Sequence, residues 1–216
     1  MRFPFRAIPA ALLLLGTVTS VAHAKTLECR ELPALFKSYT LHHYTQNGLS
    51  DELRSRTIDR FVQALDPSRT LLLKSDVERL QERADLVFVN SLRGKCSEIG
   101  QMMDLLVDRS RIDLELAKSM LDDDYVLDES VELVIDPEKR GWAESADARA
   151  NLVRRQVHFQ ISSYLTGGLD LNKAKEQLFH RYELNLKRAT ERRDRGLGPE
   201  ILMGAYALAL DPHSSF

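Results

Sequence analysis

From Leu171 to Ala189 the apolar residues step by three or four: Leu171, Ala174, Leu178, Tyr182, Leu186 and Ala189. That period fits an α-helix with one face to bury and one to leave in water. The opposite face carries Lys173, Lys175, Glu176, Glu183, Lys187 and Glu191. Arg188, Arg192, Arg193 and Arg195 crowd its end, where cations suit the helix dipole. An amphipathic helix gains its stability by packing that stripe, so other helices of the same period are required.

The chain supplies them. Leu32, Leu35, Phe36, Tyr39 and Tyr44 predict a helix from Leu32 to Gln46, with Pro33 in its first turn and Asn47-Gly48 at its end. Ser50 is a good N-cap for a second helix, and Asp51 and Glu52 favour its positive end. Leu53, Thr57, Phe61 and Leu65 share one face of it, and Asp66-Pro67 stops it. Leu71-Leu72-Leu73 is short, apolar and unperiodic, hence expected to be buried. Ser75-Asp76-Val77-Glu78 reads as a capping box, Glu78 reaching back to the Ser75 amide, with a helix running on to about Asn90. A long helix is expected from Ser97 to Leu121, with Ile99, Met102, Met103, Leu106, Ile112, Leu116 and Met120 on its apolar side. Further helices are expected from Ser145 to Leu165 and from Glu200 to Leu210. The fold class is therefore mainly α, a multi-helix domain. Its one candidate for an extended or β segment lies around 125–136, where apolar and acidic residues partly alternate. Trp142, the only Trp, is either a core plug or an anchor on a partner surface.

Residues 1–24 read as a secretory signal peptide. Arg2 and Arg6 precede an apolar run from Ile8 to Leu15, and Ala22-His23-Ala24 is a small-x-small cleavage site. The run is too short to span a bilayer, and no later run is long enough. The expectation is a soluble, exported, periplasmic protein without a membrane span after signal cleavage. Taking Arg2 and Arg6 from 30 basic residues leaves 28 against 32 acidic, a balance of −4. A nucleic-acid binder would show a basic surplus, so that class is set aside. The two cysteines, Cys29 and Cys96, read first as a disulfide in an oxidising compartment, with two unpaired thiols as the alternative.

Chemistry is hard to place in this sequence. A serine protease needs a nucleophile beside a base, together with an oxyanion hole, and no Gly-x-Ser-x-Gly turn occurs. His42 and His43 are adjacent and face different sides of a helix, which is poor metal geometry, and His-Glu-x-x-His is absent. His158 and His180 fall within amphipathic helices and read as packed or surface residues. Asp122-Asp123-Asp124 lacks the alternation and Gly of a calcium loop and reads as a solvated helix end. No catalytic residue, metal ligand or cofactor is assigned.

Several short motifs, taken in order, carry a resemblance. They are Asn47-Gly48-Leu49-Ser50, Phe61 to Ser68, Leu72 to Val77, His180-Arg181-Tyr182, and the closing Leu210-Asp211-Pro212-His213-Ser214-Ser215-Phe216. Together they resemble the N-terminal helical domain of carboxy-terminal processing (tail-specific) serine proteases, which usually have Tyr where Phe216 stands. In that family the closing motif links the helical domain to PDZ and protease domains, which hold the catalytic Ser and Lys. The resemblance implies a domain at residues 25–205 and a link at 206–216 towards a region that does not follow in this sequence. It implies a non-catalytic domain that packs around a protease body, helps form the substrate-admitting bowl and can dock a periplasmic adaptor protein. The expected partners are a PDZ-protease chain or that adaptor. Two alternatives stay open: one chain of a split endopeptidase, and a truncated product without function. With a protease body to cover, residues Ala205 to Phe216 are expected to leave an apolar patch exposed.

Overall fold

The computed structural model describes residues 25–41, 43, 48–211 and 213. The proposed signal peptide lies outside these residues. A 3₁₀ turn, Cys29–Glu31, leads into α1 (Leu32–Leu41). Then follow α2 (Asp51–Leu65), α3 (Lys74–Glu82), α4 (Ala84–Ser91), α5 (Ser97–Met120), α6 (Pro137–Arg140), α7 (Ala146–Thr166), α8 (Leu171–Asp194) and α9 (Gly198–Leu210). The caps follow local chemistry. Ser50 Oγ accepts from Leu53 N at 3.2 Å, Ser145 Oγ from Ala148 N at 3.1 Å, and Asp170 Oδ1 from Lys173 N at 2.9 Å.

Two cores share one helix. The first gathers α1 to α4, the N-terminal half of α5, and α9. The second gathers the C-terminal half of α5, α7, α8 and Tyr125. α5, about 36 Å long by its rise, places Ile99, Met102, Met103 and Leu106 in one core and Ala117 in the other. It lies most extensively against α8, as α2 does against α9.

Several sequence expectations are corrected. The helix expected to reach Gln46 ends at Leu41, and residues 44–47 lie outside the described part. The helix expected over Ser75–Asn90 is two, broken at Arg83, and its N-cap is Leu73, two residues before the expected Ser75. The reason is Asp76, not Glu78: its buried carboxylate accepts from Leu73 N at 3.0 Å and faces Arg109 at 3.2 Å. Of Leu71-Leu72-Leu73 only Leu72 is fully buried. Ile112 points to water from a helix whose buried face instead includes Ser110 and Asp113.

Residues 125–136 form no strand, and a turn at Glu129-Ser130 interrupts them. Among the described residues the one β-type pairing is the isolated bridge Leu73–Ala143, with Lys74 N donating to Ala143 O at 2.9 Å. Side chains take the place of a sheet partner for this segment. Asp128 N donates to His158 Nδ1 at 3.2 Å, and Arg140 donates to the carbonyl of Val134 at 2.6 Å. Trp142 packs half-buried against the first core with the Arg69 guanidinium 5.4 Å from its ring centroid, a plug more than an outward anchor.

The exposed apolar patch expected near the C-terminus is not found among the described residues. Leu202, Met203, Ala205, Tyr206, Ala207 and Ala209 are all buried. α9 runs through the middle of the first core, and within it only Leu208 is an exposed large apolar side chain. The physical reason is in the sequence of α9: a helix apolar on every side has no wet face and must be enclosed.

Candidate functional site: a cationic cleft between the two cores

The connection after α2 is built on one carboxylate. Asp66, 1% exposed, accepts from Ser68 Oγ and Thr70 N at 3.1 Å through Oδ1, and from Leu71 N at 2.7 Å and Leu72 N at 2.9 Å through Oδ2. Three backbone N–H groups that the turn would otherwise leave unmatched are satisfied by one side chain. The turn drives Leu72 into the first core and presents Ser68, Thr70 and Leu71 to the space between the cores. Arg69 follows in a left-handed conformation (φ 52°), which turns its guanidinium back over Trp142.

That space is a cleft of about 380 Å³. The Asp66 turn forms one part of its lining, α5 contributes Met103, Leu106, Ser110 and Asp113, and α7 contributes Gln156 and Gln160. α8 contributes Arg181, Asn185, Arg188 and Arg192. These four stand at i, i+4, i+7 and i+11, one stripe along a single helix face.

The electrostatics of the cleft are one-sided. Among the described residues Asp113 is the one carboxylate in its lining, and it is held in a buried ion pair by Arg149, itself 2% exposed. Burial pushes the Asp113 carboxyl up to about 6, against the pull of the Arg149 guanidinium. Burial, with the Asp113 charge nearby, also pushes the Tyr182 hydroxyl up, so it stays protonated and a neutral donor. Among the described residues, Arg181, Arg188 and Arg192 have no carboxylate within ion-pair distance, whereas neighbouring Arg193 is paired to both Asp104 and Asp194. Gln160 Oε1 is buried without a hydrogen-bond partner. Three guanidinium groups and an unmatched acceptor therefore border an apolar-floored groove.

The residues singled out from sequence fall elsewhere. Cys29 and Cys96 are disulfide-bonded with Cα atoms 5.9 Å apart, tying the N-terminal 3₁₀ turn to the start of α5. In the link motif Leu210 ends α9, Asp211 N donates to Ala207 O at 3.1 Å, and His213 N donates to Asp211 Oδ1 at 3.0 Å. Pro212, Ser214, Ser215 and Phe216 lie outside the described residues, as does His42. The Asp211 contact begins in the same way as the Asp66 turn, a carboxylate folding back on the residues after a Pro. His158 packs against Tyr125, ring centroids 5.4 Å apart, and His180 is exposed 3.5 Å from Glu183. Asp122 Oδ1 accepts from Asp124 N at 3.1 Å as a helix-end turn, and no group of metal-ligating side chains is assembled among the described residues. Sequence reading missed the Asp66 cradle, the Asp113–Arg149 pair and the cleft itself. The only available signal was the regular spacing of Arg181, Arg188 and Arg192.

Comparison with known proteins places this architecture. The family model described as the tail specific protease N-terminal domain matches residues 37–216, which take in the second core, the first core apart from its residues before Lys37, the Asp66 turn and all four α8 residues of the cleft. The chain is 27% identical over 179 residues to a protein of Haemophilus influenzae named tail-specific protease, across 82% of this chain. It spans about a quarter (26%) of that relative's length. With the match running through both cores and on to the closing motif, the chain belongs to the family of tail-specific protease N-terminal domains.

Proposed function

We propose that this chain acts as the non-catalytic N-terminal domain of a periplasmic tail-specific serine protease, where it shapes substrate access and docks the protease body or an adaptor protein. One observation carries the reading: the family match extends from Lys37, within α1, through α9 and over the link that leaves α9 at Asp211. The docking role draws support from the burial of α9, which gives that link a rigid base. A serine protease mechanism needs a placed nucleophile, base and oxyanion hole, and the reading assigns those to a protease body. The disulfide is compatible with an oxidising compartment. No helix among the described residues is long and apolar enough to cross a membrane.

The test is reconstitution. The purified chain is mixed with a PDZ-protease chain of the same family that has been stripped of its own helical domain. Cleavage of a protein with an apolar C-terminal tail is then followed. The chain alone is expected to give no turnover, and its addition is expected to form a complex and change the rate. Turnover by this chain alone, surviving repurification and abolished by replacing one of its serines, overturns the non-catalytic reading. Neither complex nor rate change overturns the docking role.

A further inference from the structure

We infer that the cleft between the two cores is a binding site for an acidic peptide segment, held in an extended conformation along the α8 face. This deepens the docking role above by giving one surface a ligand class.

The argument begins with charge. Arg181, Arg188 and Arg192 line the cleft without carboxylate partners, although acids are abundant in this chain and pair readily with cations elsewhere on α8. Dipole stabilisation accounts for arginines in the last turn of α8 but not for Arg181, which sits near the middle of the helix. The one acid in the lining is committed to the buried Arg149. The cleft is thus left with an excess of planar, forked donors suited to carboxylates.

Shape and remaining chemistry narrow the ligand. Along a helix rising ~1.5 Å per residue, Arg181 and Arg192 are about 16 Å apart, or roughly five residues of extended peptide at ~3.3 Å each. Leu71, Met103 and Leu106 offer apolar contact between the polar groups, so acidic residues alternating with apolar ones would match the lining. The unmatched Gln160 Oε1 can accept from a peptide N–H. A bare phosphate or a nucleic acid backbone would use the arginines but would leave this acceptor without a donor and the apolar lining uncovered.

The experiment uses the full chain and a fluorescent peptide of alternating glutamate and leucine. Binding is followed by anisotropy at ~0.05 and ~0.3 M salt, conditions that span strong and weak screening. Three outcomes support the site. The peptide binds and weakens at least about tenfold at the higher salt. The triple variant Arg181→Gln, Arg188→Gln, Arg192→Gln loses at least about tenfold with an unchanged melting curve, since each bidentate pair is a strong contact. The control triple Lys173→Gln, Lys187→Gln, Arg195→Gln, with the same loss of charge outside the cleft, binds as the parent does. Equal weakening by both triples would mean that net charge alone attracts the peptide, and the site would be overturned. So would undiminished binding of a glutamine-for-glutamate peptide. Equally tight, variant-sensitive binding of a short single-stranded oligonucleotide would overturn the peptide as ligand. Self-association abolished by the Arg triple would assign the cleft to a second copy and overturn a separate acidic partner. None of these readouts needs a protease body, so failure here leaves the reconstitution test independent.

Discussion

The Tyr206 hydroxyl lies 2.5 Å from Thr40 Oγ1, joining α9 to α1 inside the first core. Thr40 has one hydroxyl proton and donates it to Phe36 O at 2.6 Å, so Tyr206 is the donor to Thr40. The Tyr206 ring is wedged edge-on to Phe36, centroids 4.7 Å apart, and Phe88 lies beyond at 6.5 Å. This contact explains why α9 is held internally instead of offering an apolar face to a partner.

Tyr206→Phe keeps the ring and removes the hydroxyl. Thr40 keeps its bond to Phe36, so no buried donor is stranded, and the loss is expected to be about 1 kcal/mol. Tyr206→Ala also removes the ring and is expected to cost about 3–5 kcal/mol. Urea unfolding of the three proteins checks both values. A Phe variant as unstable as the Ala variant would show that the hydroxyl, not the ring, anchors α9.

Asp66 gives a sharper expectation because one carboxylate serves three backbone N–H groups. Asp66→Ala leaves all three without that acceptor in a largely buried turn, with an expected cost of at least about 3 kcal/mol. Asp66→Asn restores one acceptor oxygen but turns an amide NH₂ towards the remaining donors, and should recover less than half of the loss. Thermal melts rank the variants. Hydrogen exchange at Leu71 and Leu72 is expected to rise in both, and unchanged protection there would refute the cradle.

The pair Asp113–Arg149 predicts a pH signature. The folded Asp113 carboxyl titrates at about 6, above the ordinary unfolded value of ~3.9. Between those values the folded state holds a proton that the unfolded state has lost. Stability from this group is therefore complete below ~4 and is lost as pH rises through about 6. Asp113→Asn removes the titration and keeps a neutral side chain of the same shape, so the variant is expected to match the parent near pH 4 and to be the more stable of the two at pH 7. The variant's advantage should grow by on the order of 2–3 kcal/mol from pH 4 to pH 7. Guanidinium unfolding across that range measures it, and a parent that gains on the variant as pH rises would reverse the assignment.

The helices were legible because their signals are local. The stripe from Leu171 to Ala189 and the Ser50 and Ser145 caps each depend on residues a few positions apart. The N-cap of α3 lies two residues before the one the sequence suggests, because two capping boxes overlap there. Only burial of Asp76 against Arg109 chooses between them. The apolar residues of α9 suggest a face awaiting a partner, although the lack of a polar side along the helix already means enclosure. The pairs that build the cleft were not legible. Asp113 and Arg149 sit on different helices with nothing in their spacing to couple them, and most acids and bases at such positions simply face water. Arg188 and Arg192 had a sufficient local explanation in the helix dipole. Only the placement of the Asp66 turn across from them makes a groove.

The disulfide closes a loop of 67 residues between Cys29 and Cys96. It works beside a close backbone approach: a Cβ on Gly94 would lie 3.3 Å from Arg30 Cα, and Gly94 adopts φ 70°. The N-terminal turn is thus pressed against the α4–α5 connection as well as bonded to it. Leu27 packs on the first core alongside, and the segment has few other anchors. In the chain-entropy view a loop of this length contributes about 4 kcal/mol. Cys29→Ala with Cys96→Ala is expected to lose on the order of that amount and to release residues 25–31 first. Both helical cores should persist at low denaturant, because neither cysteine lies among their fully buried residues. Intact mass before and after reduction with alkylation establishes the bond in the purified protein. Limited proteolysis then reports the order of release. Two freely alkylated thiols in unreduced protein, or cleavage inside α5 before cleavage near Lys25, would contradict this account.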